Sequence, residues 1–170
     1  MKSLLTIILF FSIFAWMFGV PQGPAEFTGA DYQNPQNQYE IAVNELNNYV
    51  PVYERNISQD LPGKKVHGRT YFHGSGPGRT PKYVDIQDKH AFIVYHEMGH
   101  VLNPSWNETQ CDNYAAQRDN TTLYEQGYSY AALHINELEG IPLGHFAPKG
   151  LTKSQRQEYC QGMADYIENM

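Results

Sequence analysis

The chain has 170 residues, enough for one modest domain with a terminal extension and too few for two full domains. Its formal net charge is -6, and its 12 Lys and Arg are scattered among 18 Asp and Glu, so no basic stripe is present to grip nucleic acid. The remaining composition is that of a globular protein rich in tyrosine.

Met1 and Lys2 precede an uncharged apolar run over residues 4–20, closed by Pro21. A short positive start followed by a long apolar stretch is the pattern of an export signal. The run also reaches the lower limit of a spanning helix. Residues 1–20 therefore read as a signal peptide or N-terminal anchor, and the protein as secreted or extracytoplasmic, with membrane attachment through residues 4–20 as the anchored form. Residues 21–38, rich in Gly, Pro, Asn and Gln, read as a linker or short pro-segment. Residues 39–170 read as one catalytic domain, expected to be a monomer.

Within it, Ile41, Ala42, Leu46 and Tyr49 recur at helical spacing, and Pro51 ends the run. Residues 66–72 and 83–86 have the β-branched and aromatic content of strands. The Gly-rich stretch 73–79 between them reads as a hairpin turn, because it lacks the Gly-Lys-Ser/Thr ending of a phosphate loop. Asp88 is placed to cap a helix over residues 89–102, which Asn103 and Pro104 break. Ser105 is placed to cap a second helix reaching Arg118.

The first of these helices carries His96-Glu97-Met98-Gly99-His100. Two histidines four apart share one helix face, so both imidazoles can meet a single ion, and the intervening glutamate can reach water in its open coordination position. The motif points to Zn2+ held by His96 and His100, with Glu97 as general base. Gly99, a poor helix former, suits a place where another segment must approach closely.

If the two helices fold back at residues 103–105, His100 lies ~3 Å of rise before the turn and Glu108 ~4.5 Å after it. Asp112 then comes level with His96. Glu108 is the third ligand on this reading, and Asp112 accepts the ring N–H of a ligating histidine. A competing use of Glu108 is a capping box with Ser105. In that case Asp112, Glu125, His134 or Glu137 becomes the third ligand.

His96-Glu97-x-x-His100 followed by Glu108-x-x-x-Asp112-x-Tyr114-Ala115 resembles the gluzincin zinc metallopeptidases, over roughly residues 66–118. Within that group it is similar to the small minigluzincin-like and ImmA/IrrE-like peptidases. The resemblance implies an α+β, zincin-like metalloprotease domain, with a short antiparallel-edged sheet packed on an active-site helix and a glutamate helix. It implies zinc on His96, His100 and Glu108, with Glu97 catalytic. Cys111 departs from the family's usual alanine, and the spacer before Glu108 is short.

Tyr124, Tyr128, Tyr130, His134 and His145 supply donors that could steady an oxyanion. His145 is favoured because it sits in a loop. Cys111 and Cys160 fit an oxidising compartment, where a disulfide between them would pin the last helix against the site; two unpaired thiols are the alternative. The expected reaction is hydrolysis of a peptide or protein substrate, laid extended along the strand at 66–72. Two other functions fit the same residues: a zinc-stabilised binding or inhibitor module without turnover, and a zinc hydrolase of a non-peptide amide.

Overall fold

Asn34 opens the first helix: its side chain accepts N–H bonds from Gln36 at 2.9 Å and Asn37 at 3.4 Å, and Pro35 occupies the first turn, where no N–H is needed. Helix α1 (Pro35–Leu46) thus begins inside the stretch expected to be linker. Its buried side is Gln38, Tyr39, Ala42 and Leu46, whereas Ile41 and Tyr49 are exposed, contrary to the spacing argument. The chain is described in this computed structural model over residues 34–57, 66–76 and 78–169. The expected signal or anchor at 1–20 lies outside those residues, as does the expected linker up to residue 33. Among the described residues no helix is long and apolar enough to cross a membrane.

Among the described residues, a small mixed sheet and four further helices follow. The strands are β1 (Val52–Glu54), β2 (Gly68–His73) and β3 (Thr80–Ile86), in the order β1-β3-β2. The hairpin pairs β2 antiparallel to β3 with Tyr71 opposite Tyr83, while β1 runs parallel to β3 with Val52 opposite Val84. Alternation points Val84 and Ile86 into the core and leaves Tyr71 and Tyr83 stacked on the other face, ring centroids 4.4 Å apart.

The helices are α2 (Ala91–Leu102), α3 (Glu108–Arg118), α4 (Leu123–His134) and α5 (Lys153–Glu168), with short 3-10 turns at Ile135–Glu137 and Leu143–His145. The class is therefore α+β. Helix α2 is its axis: it is apolar on every side, only His100 and Leu102 escape burial, and α1, the sheet, α3 and α4 surround it.

Two expected caps fall elsewhere. Asp88 does not cap α2; its carboxylate pairs with Nδ1 of His67, and His90 takes the cap position without a side-chain bond. Ser105 does not cap α3 either. Asn107 does, in a reciprocal box with Gln110.

Two cores result. One gathers Leu46, Val84, Phe92, Ile93 and Met98 around α2. The other, between α4 and α5, gathers Leu123, Ala131, Tyr159 and Met163. In the second, main chain meets main chain. A Cβ at Gly127 would lie 2.0 Å from the Tyr159 carbonyl oxygen, and one at Gly162 would lie 2.0 Å from that of Tyr124. No side chain fits at either position.

Candidate metal centre

The turn at 103–107 folds α3 back along α2, and Gly99 sets how near it comes. A Cβ there would stand 3.0 Å from Sγ of Cys111 and 3.2 Å from its Cα. Close packing brings the carboxylates of α3 to the imidazoles of α2. Glu108 places Oε2 3.0 Å from Nε2 of His96 and Oε1 3.5 Å from Nε2 of His100. With Gln110 serving the cap, Glu108 is free for these contacts, and its side chain is 64% exposed. On the opposite edge of His96, Nδ1 lies 2.8 Å from Oδ1 of Asp112.

One donor atom each from His96, His100 and Glu108 lie within 4.8 Å of one another, a grouping that could hold a metal ion. A second such grouping is His96, Asp112 and His134, again sharing His96. The two sets differ in exposure: Glu108 of the first is exposed, whereas the second consists of buried His96 and His134 with half-buried Asp112. His96, His100, Glu108 and His134 all line one cavity of about 350 Å³.

Electrostatics favours a cation here. Burial, the largest influence on His96, opposes its charged form, yet hydrogen bonds to Asp112 and Glu108, with Glu97 nearby, hold its pKa at about 10. Glu108 is held well below the usual carboxylate range by His100 and then His96. Burial pushes Asp112 up, but bonds from His134 and His96 bring it below its ordinary value. Two imidazoles and a carboxylate facing one point form a donor set suited to a divalent ion.

Glu97 is 4% exposed and sits at the junction of α2 and β2. Its Oε2 accepts a 2.6 Å hydrogen bond from Oγ1 of Thr70. Strand β2 comes this close because of Gly68, where a Cβ would meet Cγ2 of Ile93 at 2.7 Å and Oε1 of Glu97 at 2.9 Å.

His134, an alternative third ligand in the sequence, belongs to the second metal grouping and also makes contacts that orient its neighbours. From the end of α4 its Nε2 lies 2.9 Å from Oδ1 of Asp112, and its Nδ1 lies 3.5 Å from Oε2 of Glu137. Asp112 thus receives two ring nitrogens, one from His96 and one from His134. That arrangement leaves Nε2 of His96 directed at Glu108.

Some expected site residues are not brought there. His145 is exposed on the turn Leu143–His145 and does not line the cavity. Tyr124 instead donates to Asp165 at 2.9 Å, and Tyr128 packs edge-on against Tyr166. Glu125 starts α4 and belongs to neither metal grouping.

The expected Cys111–Cys160 disulfide is absent: both thiols are free. Cys111 packs between α3 and α2, with Sγ 3.4 Å from Nδ1 of His100, whereas Cys160 packs in the α4–α5 core. Burial and the carboxylates of Glu108, Glu97 and Asp112 push the Cys111 thiol up to about 12, so it stays protonated and inert.

Among the cavity residues with no individual role in the sequence reading are His67, Arg69, Thr70 and Arg79. A signal existed for Thr70 and Gly68, because strand period puts both on one face and a glycine within a strand marks a close approach. His67 is buried between Asp88 and the hydroxyl of Tyr166, 3.2 Å from its Nε2, and so ties α5 to the start of β2.

No protein-family model matches the chain, and neither a curated protein nor a solved structure does. What the molecule establishes by itself is an α+β fold with grouped His, Glu and Asp side chains able to hold a metal ion.

Proposed function

We propose that the chain is a zinc-dependent peptidase of the gluzincin type, with zincin-like organisation around α2. The observation that carries this reading is the convergence of Nε2 of His96, Nε2 of His100 and the Glu108 carboxylate at one cavity wall, with the Glu97 carboxylate lining the same cavity. His96, His100 and Glu108 would hold the ion. Bound in such a site, zinc lowers the pKa of water to about 7 and polarises a carbonyl.

The protein's own groups do the rest. Glu97 accepts the proton of the attacking water and returns it to the leaving amine. Thr70 holds the Glu97 carboxylate in place through Oε2, leaving Oε1 for that exchange. Asp112 and His134 fix the ring of His96, and β2, at the sheet edge, offers main-chain groups to an extended substrate. Residues 1–20 are read as directing export, a reading to which the two free thiols add nothing.

The test combines metal analysis of the purified protein with cleavage of an unstructured protein, with and without chelator. Chelator-sensitive cleavage and about one zinc per chain are expected. Glu97→Gln should keep the metal and lose turnover by about 100-fold or more. Full activity in that variant would remove Glu97 as the base.

A second reading, a zinc-stabilised binding module without turnover, is favoured by the His96, Asp112 and His134 grouping, whose two histidines are buried. It predicts that chelation melts the protein and that no peptide or other amide is ever cut.

A further inference from the structure

We propose that the cavity selects substrates bearing a carboxylate, with Arg79 as the residue that receives it and Arg69 as a second cation. This rests on the peptidase reading and names the substrate class of that site.

What sets these two residues apart is their place on the cavity wall. Three other cations are matched to carboxylates: Arg55 to Asp85, Arg118 to Glu45, and Lys89 to Glu54 at 2.7 Å. Arg69 and Arg79 line the cavity, and neither pairs with a carboxylate among the described residues. Two guanidiniums that share one cavity without a direct carboxylate partner are available to an anionic group of a ligand.

Arg79 is also held in a fixed attitude. Its Nε and Nη2 donate to the carbonyl oxygen of Pro104 at 3.3 and 2.8 Å, and its guanidinium carbon lies 4.0 Å from the ring centroid of Phe72. One edge of the fork is satisfied and one face is seated on an aromatic ring. Nη1, on the remaining side, has no protein acceptor among the described residues.

Pro104 belongs to the turn joining α2 to α3, so Arg79 is anchored to the segment that carries His100 and Glu108. A guanidinium already oriented loses little freedom on meeting a carboxylate, and its planar fork matches that group geometrically. Arg69 is less constrained, with its guanidinium carbon 4.8 Å from the Tyr71 ring centroid. It supplies charge rather than a fixed fork. Glu97, Glu108 and Glu137 line the same cavity, so a carboxylate is attracted at the guanidiniums and repelled at these three groups.

The carboxylate could come from a Glu or Asp side chain beside the scissile bond or from the α-carboxylate of a peptide end. Three matched synthetic peptides separate these sources: one with Gln and an amidated end, one with Glu and an amidated end, and one with Gln and a free end. The full zinc-loaded protein should cut at least one charged peptide better than the neutral one. The ratio of their kcat/KM values should fall by about 10- to 100-fold in Arg79→Gln, as for loss of a charge-assisted bond. Arg79→Lys should recover part of it, and added salt should erode it in the unmodified protein.

Should Arg79→Gln lose its fold through the Pro104 bond, which its Tm would reveal, Arg69→Gln and the salt series carry the test. Calorimetric binding of the Glu peptide to Glu97→Gln protein gives a second readout that needs no turnover. Equal cleavage of charged and neutral peptides, or an unchanged ratio in Arg79→Gln, overturns the carboxylate assignment alone. Failure to cut any of the peptides, or any unstructured protein, overturns the peptidase reading beneath it.

Discussion

Replacing Gly68 with alanine should abolish the proposed turnover while leaving the capacity of His96, His100 and Glu108 to bind a metal. The new Cβ would stand 2.7 Å from Cγ2 of Ile93, 2.9 Å from Oε1 of Glu97 and 3.1 Å from its Cγ. Carbon atoms pack comfortably at about 3.5–4.0 Å, so roughly 1 Å of relief is needed. Ile93 cannot supply it, because it is fully buried and a β-branched side chain in a helix has one good rotamer. Either β2 lifts from α2 or the Glu97 side chain swings aside.

Both movements break the 2.6 Å bond from Thr70 to Glu97. Overpacking of this kind costs about 1–3 kcal/mol of stability, and a 1 Å displacement of a reacting group costs about 100-fold in rate. His96, His100 and Glu108 are not among the nearest contacts of the added Cβ and should still bind metal. The assay is urea unfolding, metal content and kcat/KM on one preparation. An alanine variant with undiminished kcat and an unchanged unfolding midpoint would refute the claim that β2 fixes Glu97.

Three further outcomes are expected. His134→Asn should weaken metal binding by about 10- to 100-fold in competition with a chelator, because His134 acts on His96 through Asp112; unchanged affinity would make that contact incidental. Gly99→Ala should push α3 away at Cys111 and lower both Tm and metal content, since the approach there is 3.0–3.2 Å; a variant that keeps both would show slack between the helices.

Burial pushes the Asp119 carboxyl from its ordinary 3.8 up to about 6, against a bond from Thr121. Between those values the unfolded chain has lost this proton and the folded chain keeps it. The stabilisation is therefore complete below about pH 4 and disappears as pH rises through about 6, a change of about 3 kcal/mol. Asp119→Asn, which still offers an acceptor to the Thr121 N–H, should flatten that fall; a stability curve of the same shape would dissociate it from Asp119.

The α2–α3 pair is legible in the sequence because its determinants are local: a motif at helical spacing, a break at Asn103-Pro104, and a glycine at 99 where α3 packs. The hairpin is legible for the same reason. The start of α1 is also written locally, in Asn34-Pro35, but the surrounding Gly, Pro, Asn and Gln mask it as linker composition. Strand β1 is too short to show alternation and exists by pairing with β3, a partner about thirty residues on. Asp88 illustrates the general difficulty. Its position before α2 is that of a cap, yet a buried histidine 21 residues back takes the carboxylate instead. His134, Arg69 and Arg79 reach the cavity through tertiary packing, which leaves no periodic trace.

The backbone contact at Gly127 and Gly162 bears on more than the packing of two helices. Where side chains interlock, a misfit can be spread over several rotamers; here there is nothing to yield. Helices α4 and α5 must pivot as one stiff lever, with His134 riding at the tip of α4. An angular error in α5 would therefore reach His134 and, through Asp112, the imidazole of His96. The last described helix is in that sense a gauge block for a centre it meets through His134 and, by way of Tyr166, through His67.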